Sequence, residues 1–134
     1  MISENELAWA AGFVDGDGTI NITRSQGKFF HLLIGAVNTH RPSVERLSTM
    51  FGGKVCLCSG GRHTWILHGR KAKEVIQMLE PFLFTKREHA RIALAMPLAP
   101  IGGNIRRFGI LGRLGQIASY MQIQKAIHPS RGGM

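Results

Sequence analysis

Over residues 19–25, TINITRS, apolar and polar positions alternate: Ile20 and Ile22 fall on one side, Thr19, Asn21 and Thr23 on the other. That is the period of a strand with one buried face. Gln26-Gly27-Lys28 can turn the chain, and FFHLLIGAVN (29–38) predicts a second, longer strand. Its core positions are Phe30, Leu32, Ile34 and Ala36, with Phe29, His31, Leu33 and Gly35 opposite. Upstream, residues 4–15 read as a helix capped by Ser3, with Glu4 and Glu6 in its first turn and Gly16 to Gly18 ending it. After His40-Arg41-Pro42, residues 43–51 place Val44, Leu47 and Phe51 at helical spacing before Gly52-Gly53 stops the run. A hairpin follows, with strands 54–58 and 62–69 around Ser59-Gly60-Gly61. Val55, Leu57, Trp65 and Leu67 form its predicted core side, and Lys54, Cys56, Cys58, Arg62, Thr64 and Ile66 point outward. A helix over 71–83 carries Ala72, Val75, Ile76, Leu79 and Phe82 on its apolar face, with Pro81 shortening its end. Another spans 86–96, closed by Pro97 and Pro100. Residues 97–107 read as loop, 111–127 as a last helix weakened by Gly112 and Gly115, and 128–134 as a frayed tail.

The result is an α+β chain with the order helix, two strands, helix, two strands, helix. At 134 residues, with no linker or repeat, it suits one domain: a core over 4–95, a helical extension over 96–127 and a tail over 128–134. No apolar run reaches the ~18 residues of a membrane span, and MISENELAW is acidic where a signal peptide is basic. The expectation is an intracellular protein that is not secreted and has no membrane partner. Charge narrows its partners: 17 Lys+Arg against 8 Asp+Glu give a formal +9 and a pI of about 10.6, which favours a polyanion, above all nucleic acid. A basic ribosomal or merely solubilising surface is the blander reading. Cys56 and Cys58 are spaced too closely for the usual zinc pairs and have no second pair.

FVDGDGTINI (13–22) sets Asp15 and Asp17 between glycines. Aligned on an EF-hand through Asp17-Gly18-Thr19-Ile20, it puts Phe13 at the first ligand position and Arg24 at the twelfth, so a calcium loop fails at both ends. Within the preceding helix Ala8, Gly12 and Gly16 recur every fourth position with Ala11 beside them, making one side nearly flat. That side can admit a second backbone or pack on the protein's own sheet.

Ala10-Ala11-Gly12-Phe13-Val14-Asp15-Gly16-Asp17-Gly18 resembles the nine-letter motif of the LAGLIDADG homing endonucleases, and Thr19-Ile20 continues in that family's manner. Residues 37–53 and 65–86 resemble two further family segments, so the likeness covers roughly residues 4–95. It implies the family's αββαββα fold: an antiparallel, four-stranded, saddle-shaped sheet with helices on one face. It also implies double-strand cleavage of DNA at a long, palindromic or pseudo-palindromic site in support of intron or intein homing. A single motif implies a homodimer through Ala8, Ala11, Gly12 and Gly16, which sets the C-terminal ends of two motif helices side by side.

By position, the resemblance makes Asp17 a ligand of Mg²⁺, with Mn²⁺ or Ca²⁺ able to substitute in binding, and the Gly16 carbonyl an additional oxygen. Asp15 is implied to be structural, hydrogen-bonding backbone near the helix end. Lys86 matches a basic residue that stabilises the transition state or positions water, and Asn38 stands where many members carry a water-ordering Gln. The outward strand faces would enter the major groove of double-stranded DNA through Asn21, Thr23, Ser25, Gln26, Lys28, His31, Lys54, Arg62 and Thr64. Arg24, on the other parity, and Arg87, Arg91, Arg106, Arg107 and Arg113 would touch phosphates or neighbouring elements. The turn at Gln26-Gly27 is brief where relatives extend a DNA-reaching loop, and strand two offers few hydrogen bonds outward. The main alternative is a non-cleaving nucleic-acid-binding protein on the same scaffold, a maturase-like RNA splicing factor or a transcription regulator.

Overall fold

A computed structural model describes residues 1–25, 29–99 and 105–129, without the side chains of Ser25 and 105–107. Its elements are α1 (Glu4–Asp17), β1 (Gly18–Ser25), β2 (Phe29–Asn38), α2 (Arg41–Phe51), β3 (Val55–Leu57), β4 (His63–His68), α3 (Gly69–Leu79), α4 (Arg87–Ala95) and α5 (Ile105–Ile127). The four strands form one antiparallel sheet in the order β1-β2-β4-β3. Helices α1, α2 and α3 pack against its apolar face. From that face Ile20, Ile22, Leu32, Ile34 and Trp65 are all but excluded from solvent, with Val44 and Leu47 of α2 and Ala72, Ile76 and Leu79 of α3. Each buried aliphatic side chain contributes about 1.5–3 kcal/mol. The Trp65 indole N–H finds a partner in the Gly52 carbonyl, 2.7 Å away.

The register explains how the sheet is drawn so close to α1. Gly18 pairs with Ala36 and Thr19 with Gly35. A Cβ on Gly18 would lie 2.7 Å from both the Gly35 carbonyl oxygen and the Val14 Cα, so only glycine lets the chain pass from helix to strand here. Helix α1 begins as predicted, with a capping box in which Ser3 and Glu6 exchange hydrogen bonds. These bonds, to the backbone first, lower the Glu6 pKa.

Several expectations are corrected. Helix α1 runs two residues past Asp15, so Asp17 ends the helix. Strand β3 holds only three residues, Lys54 precedes it, and Leu57 is 71% exposed at the sheet's edge, outside the core assigned to it. Pro81 closes α3 into a 3₁₀ turn over Glu80–Phe82, turning Phe82 off the apolar face onto the surface. The last helix starts at Ile105, inside the predicted loop, and is broken at Gly109 (φ 49°, ψ −151°), a conformation reserved largely for glycine. Gln26, Lys28 and the tail from residue 130 lie outside the described residues.

Helix α5 supplies what the short β4 cannot. Strand β4 ends opposite Leu33, so the first residues of β2 have no strand neighbour on that side. Buried Gln116 fills the place: its amide accepts from Phe30 N–H (3.0 Å) and donates to the carbonyls of Phe30 (3.3 Å) and Pro97 (2.9 Å). Replacing the buried Gln116 by alanine leaves three part-buried backbone groups without this partner and is expected to cost about 2 kcal/mol, read as a lower urea midpoint.

Candidate active site and nucleic-acid face

Where α1 meets the sheet, its two aspartates part company. The half-buried Asp15 turns inward and accepts from the backbone N–H groups of Phe84 (2.8 Å) and Lys86 (2.9 Å). The Lys86 ammonium donates in return to the Asp15 carbonyl at 2.8 Å, a cation on the negative end of the helix. Asp15 thus has the structural, backbone-bonding place expected of it, but its partners lie some seventy residues onward. Asp17 turns outward and is exposed. The Asn38 amide donates to its Oδ2 at 2.9 Å, and Asn38 Oδ1 accepts from the His40 N–H at 2.7 Å. Asp17, Asn38 and Lys86 therefore converge on the C-terminal end of α1.

The flat side of α1 is open. Ala8, Gly12 and Gly16 are exposed, and a Cβ on either glycine would meet nothing within 4 Å. The alternative, in which these residues pack on the protein's own sheet, does not hold. Ala11 is a correction: turned about 100° around the helix from Gly12, it is wholly buried in the core and is not available to a second copy. Trp9 flanks the open side, with the Arg46 guanidinium 4.2 Å above its ring and Phe13 5.4 Å away.

On the sheet face away from the helices, a groove of about 310 Å³ starts at Asp17 and Thr19, crosses Gly35 and Val37 and ends at Cys58, Arg62, Thr64 and Ile66. Arg62 and Thr64 were assigned to this face from the sequence. Thr23 and His31 pair directly across β1 and β2 on the same parity. Asn21 is less free: its Oδ1 accepts from Ile22 N–H and from Gln124 of α5 at 3.1 Å. Lys54 is exposed beside β3. Gln26 and Lys28, with the side chains of Ser25, Arg106 and Arg107, are outside the described residues. The sequence reading left out Cys58, whose Sγ lies 2.9 Å from Thr64 Oγ1, although its alternation with Cys56 placed it on this face. It also left out His40, which no spacing marked.

No family model and no curated protein sequence matches the chain. Solved structures do. The homing endonuclease I-CvuI in complex with its target gives a TM-score of 0.69 at 20% identity, over 90% of this chain and 79% of that one. The archaeal intron-encoded homing endonuclease I-Vdi141I, complexed with DNA, gives 0.69 at 14% identity over 91% and 84%. The LAGLIDADG meganuclease I-AabMI, bound to uncleaved DNA, gives 0.66 at 15% identity, and the match spans 85% of this chain but only 43% of that longer one. The fold is that of the LAGLIDADG homing endonucleases.

The division between the aspartates is measurable. Asp15→Ala removes two backbone anchors and is expected to cost about 2 kcal/mol in chemical denaturation. Asp17→Ala, at an exposed helix end, should stay within about 0.5 kcal/mol of the parent.

Proposed function

We propose that the protein is a sequence-specific DNA endonuclease of the homing type, acting as a homodimer on a palindromic or nearly palindromic duplex. The observation that carries this reading is the place of Asp17. It stands where the open side of α1 meets the outer groove, so two copies joined through Ala8, Gly12 and Gly16 would set two such carboxylates beside each other at the head of a shared concave surface. The like fold of proteins described in complex with DNA and the chain's formal +9 support a duplex as the substrate.

The donors at this helix end fit a hard divalent ion. They are oxygens, an exposed carboxylate and the carbonyls of a helix C-terminus. Among the described residues no three His, Cys, Asp or Glu side chains gather into a metal site, so a bound ion would draw ligands from the DNA and the second copy as well. Asp17 would hold Mg²⁺, with the Gly16 carbonyl beside it. Mg²⁺, when bound, polarises a phosphate and lowers the pKa of bound water. Asn38 fixes the Asp17 carboxylate through one amide hydrogen and keeps a second for substrate or solvent. Lys86 retains two ammonium hydrogens beyond the one given to Asp15, enough to meet charge developing on phosphate oxygens. Arg62 and Thr64 read base edges from the groove.

A randomised inverted-repeat duplex library with Mg²⁺ tests the reading: the parent should make double-strand cuts that fall to background in Asp17→Asn. Binding without cuts by the parent would instead favour a non-cleaving nucleic-acid-binding protein on the same scaffold. Gly12→Leu should keep the parent's circular dichroism, since the site is open in the single chain. Its solution mass should fall from two chains to one, and a parent already monomeric at micromolar concentration would sink the dimer.

A further inference from the structure

The contacts around Asp17 continue beyond it. Asn38 Oδ1 accepts from the backbone N–H of His40, and His40 Nδ1 lies 2.6 Å from Ser43 Oγ in the first turn of α2. The chain Asp17–Asn38–His40–Ser43 joins the end of one helix to the start of another. His40 is the residue preceding α2, and its carbonyl accepts from Ser43 and Val44 N–H, so its backbone is fixed as well as its ring. Yet His40 is exposed: the groups around it orient the imidazole without covering it.

Resting on the nuclease reading, we infer that His40 is a substrate-contacting residue, donating from Nε2–H to a phosphodiester oxygen of the strand held at Asp17. An exposed ring needs no orientation for the fold's sake, and the Ser43 hydroxyl on Nδ1 holds the imidazole in place while Nε2 has no partner among the described residues. When Ser43 Oγ donates to Nδ1, the ring hydrogen lies on Nε2, a donor presented outward, and this is the arrangement assigned to His40. A phosphodiester oxygen, an acceptor only, is the partner this arrangement fits. The second hydrogen of the Asn38 amide is available to the same phosphate group, so two further donors supplement Lys86 there.

Three readouts test it without knowledge of the target sequence. Long-range ¹H–¹⁵N spectra of the histidine rings should show the Nε2–H tautomer for His40 and a mixture of tautomers in Ser43→Ala. Saturating the protein with random-sequence duplex at low salt should move the His40 Nε2 resonance. In anisotropy titrations with that duplex, His40→Ala should bind roughly tenfold more weakly, the size of one hydrogen bond to a charged group, whereas His40→Gln, which offers an N–H donor, should stay within about threefold of the parent. An unmoved Nε2 resonance in a parent that binds duplex, or equal affinity of parent and His40→Ala, would overturn the assignment and leave the nuclease reading standing. A parent that binds no duplex would overturn both.

Discussion

A single carboxylate holds the site together. Asp15 accepts from two alternate backbone N–H groups in the segment that leads from α3 to α4, and Lys86 in that segment returns a hydrogen bond to the Asp15 carbonyl. The three bonds lock the end of α1 against a stretch some seventy residues away. The direction in which Asp17 leaves the helix is set by this lock from one side and by the close passage of Gly18 against Gly35 from the other. Without them the last turn of α1 would fray, as helix ends do where their carbonyls lack partners, and Asp17 would have no defined relation to Asn38 or to the groove.

The chemistry follows from that geometry. A helix C-terminus is an electrostatically poor place for a carboxylate, because the helix dipole already places negative charge there. Lys86 offsets this on the inner side, where its ammonium caps the helix; on the outer side Asn38 supplies a neutral donor. An exposed carboxylate at a negative helix end adds little to stability, which accords with the cation site proposed there. The exposed glycines beside it are likewise not required by packing within the chain, since a Cβ on either would meet nothing within 4 Å.

Much of this was legible in the sequence. The alternation of Ile20 and Ile22, and of Leu32, Ile34 and Ala36, announced the buried face of the sheet, and the spacing of Val44, Leu47 and Phe51 the buried face of α2, because period and burial are local properties. The motif marked Asp17. The misses share one cause, that they depend on contacts between distant segments. Ala11 shares its small size with Gly12, but its direction depends on where the sheet lies. Leu57 has a core residue's chemistry on a strand too short to reach the core. The roles of Gln116 and Gln124 are set by where β4 stops, and that of His40 by Asn38 reaching both ways; no spacing encodes either.

The glutamine on α5 has a wider meaning. A strand with bare N–H and C=O groups is a template on which a stray extended peptide can add itself, the first step toward swapped or fibrillar assemblies. By presenting an amide that imitates a neighbouring backbone unit, Gln116 closes that template at Phe30. The helix that follows the endonuclease-like core thus covers this stretch of β2 against unwanted β-augmentation, and the proposed association between copies would fall to the small-residue side of α1.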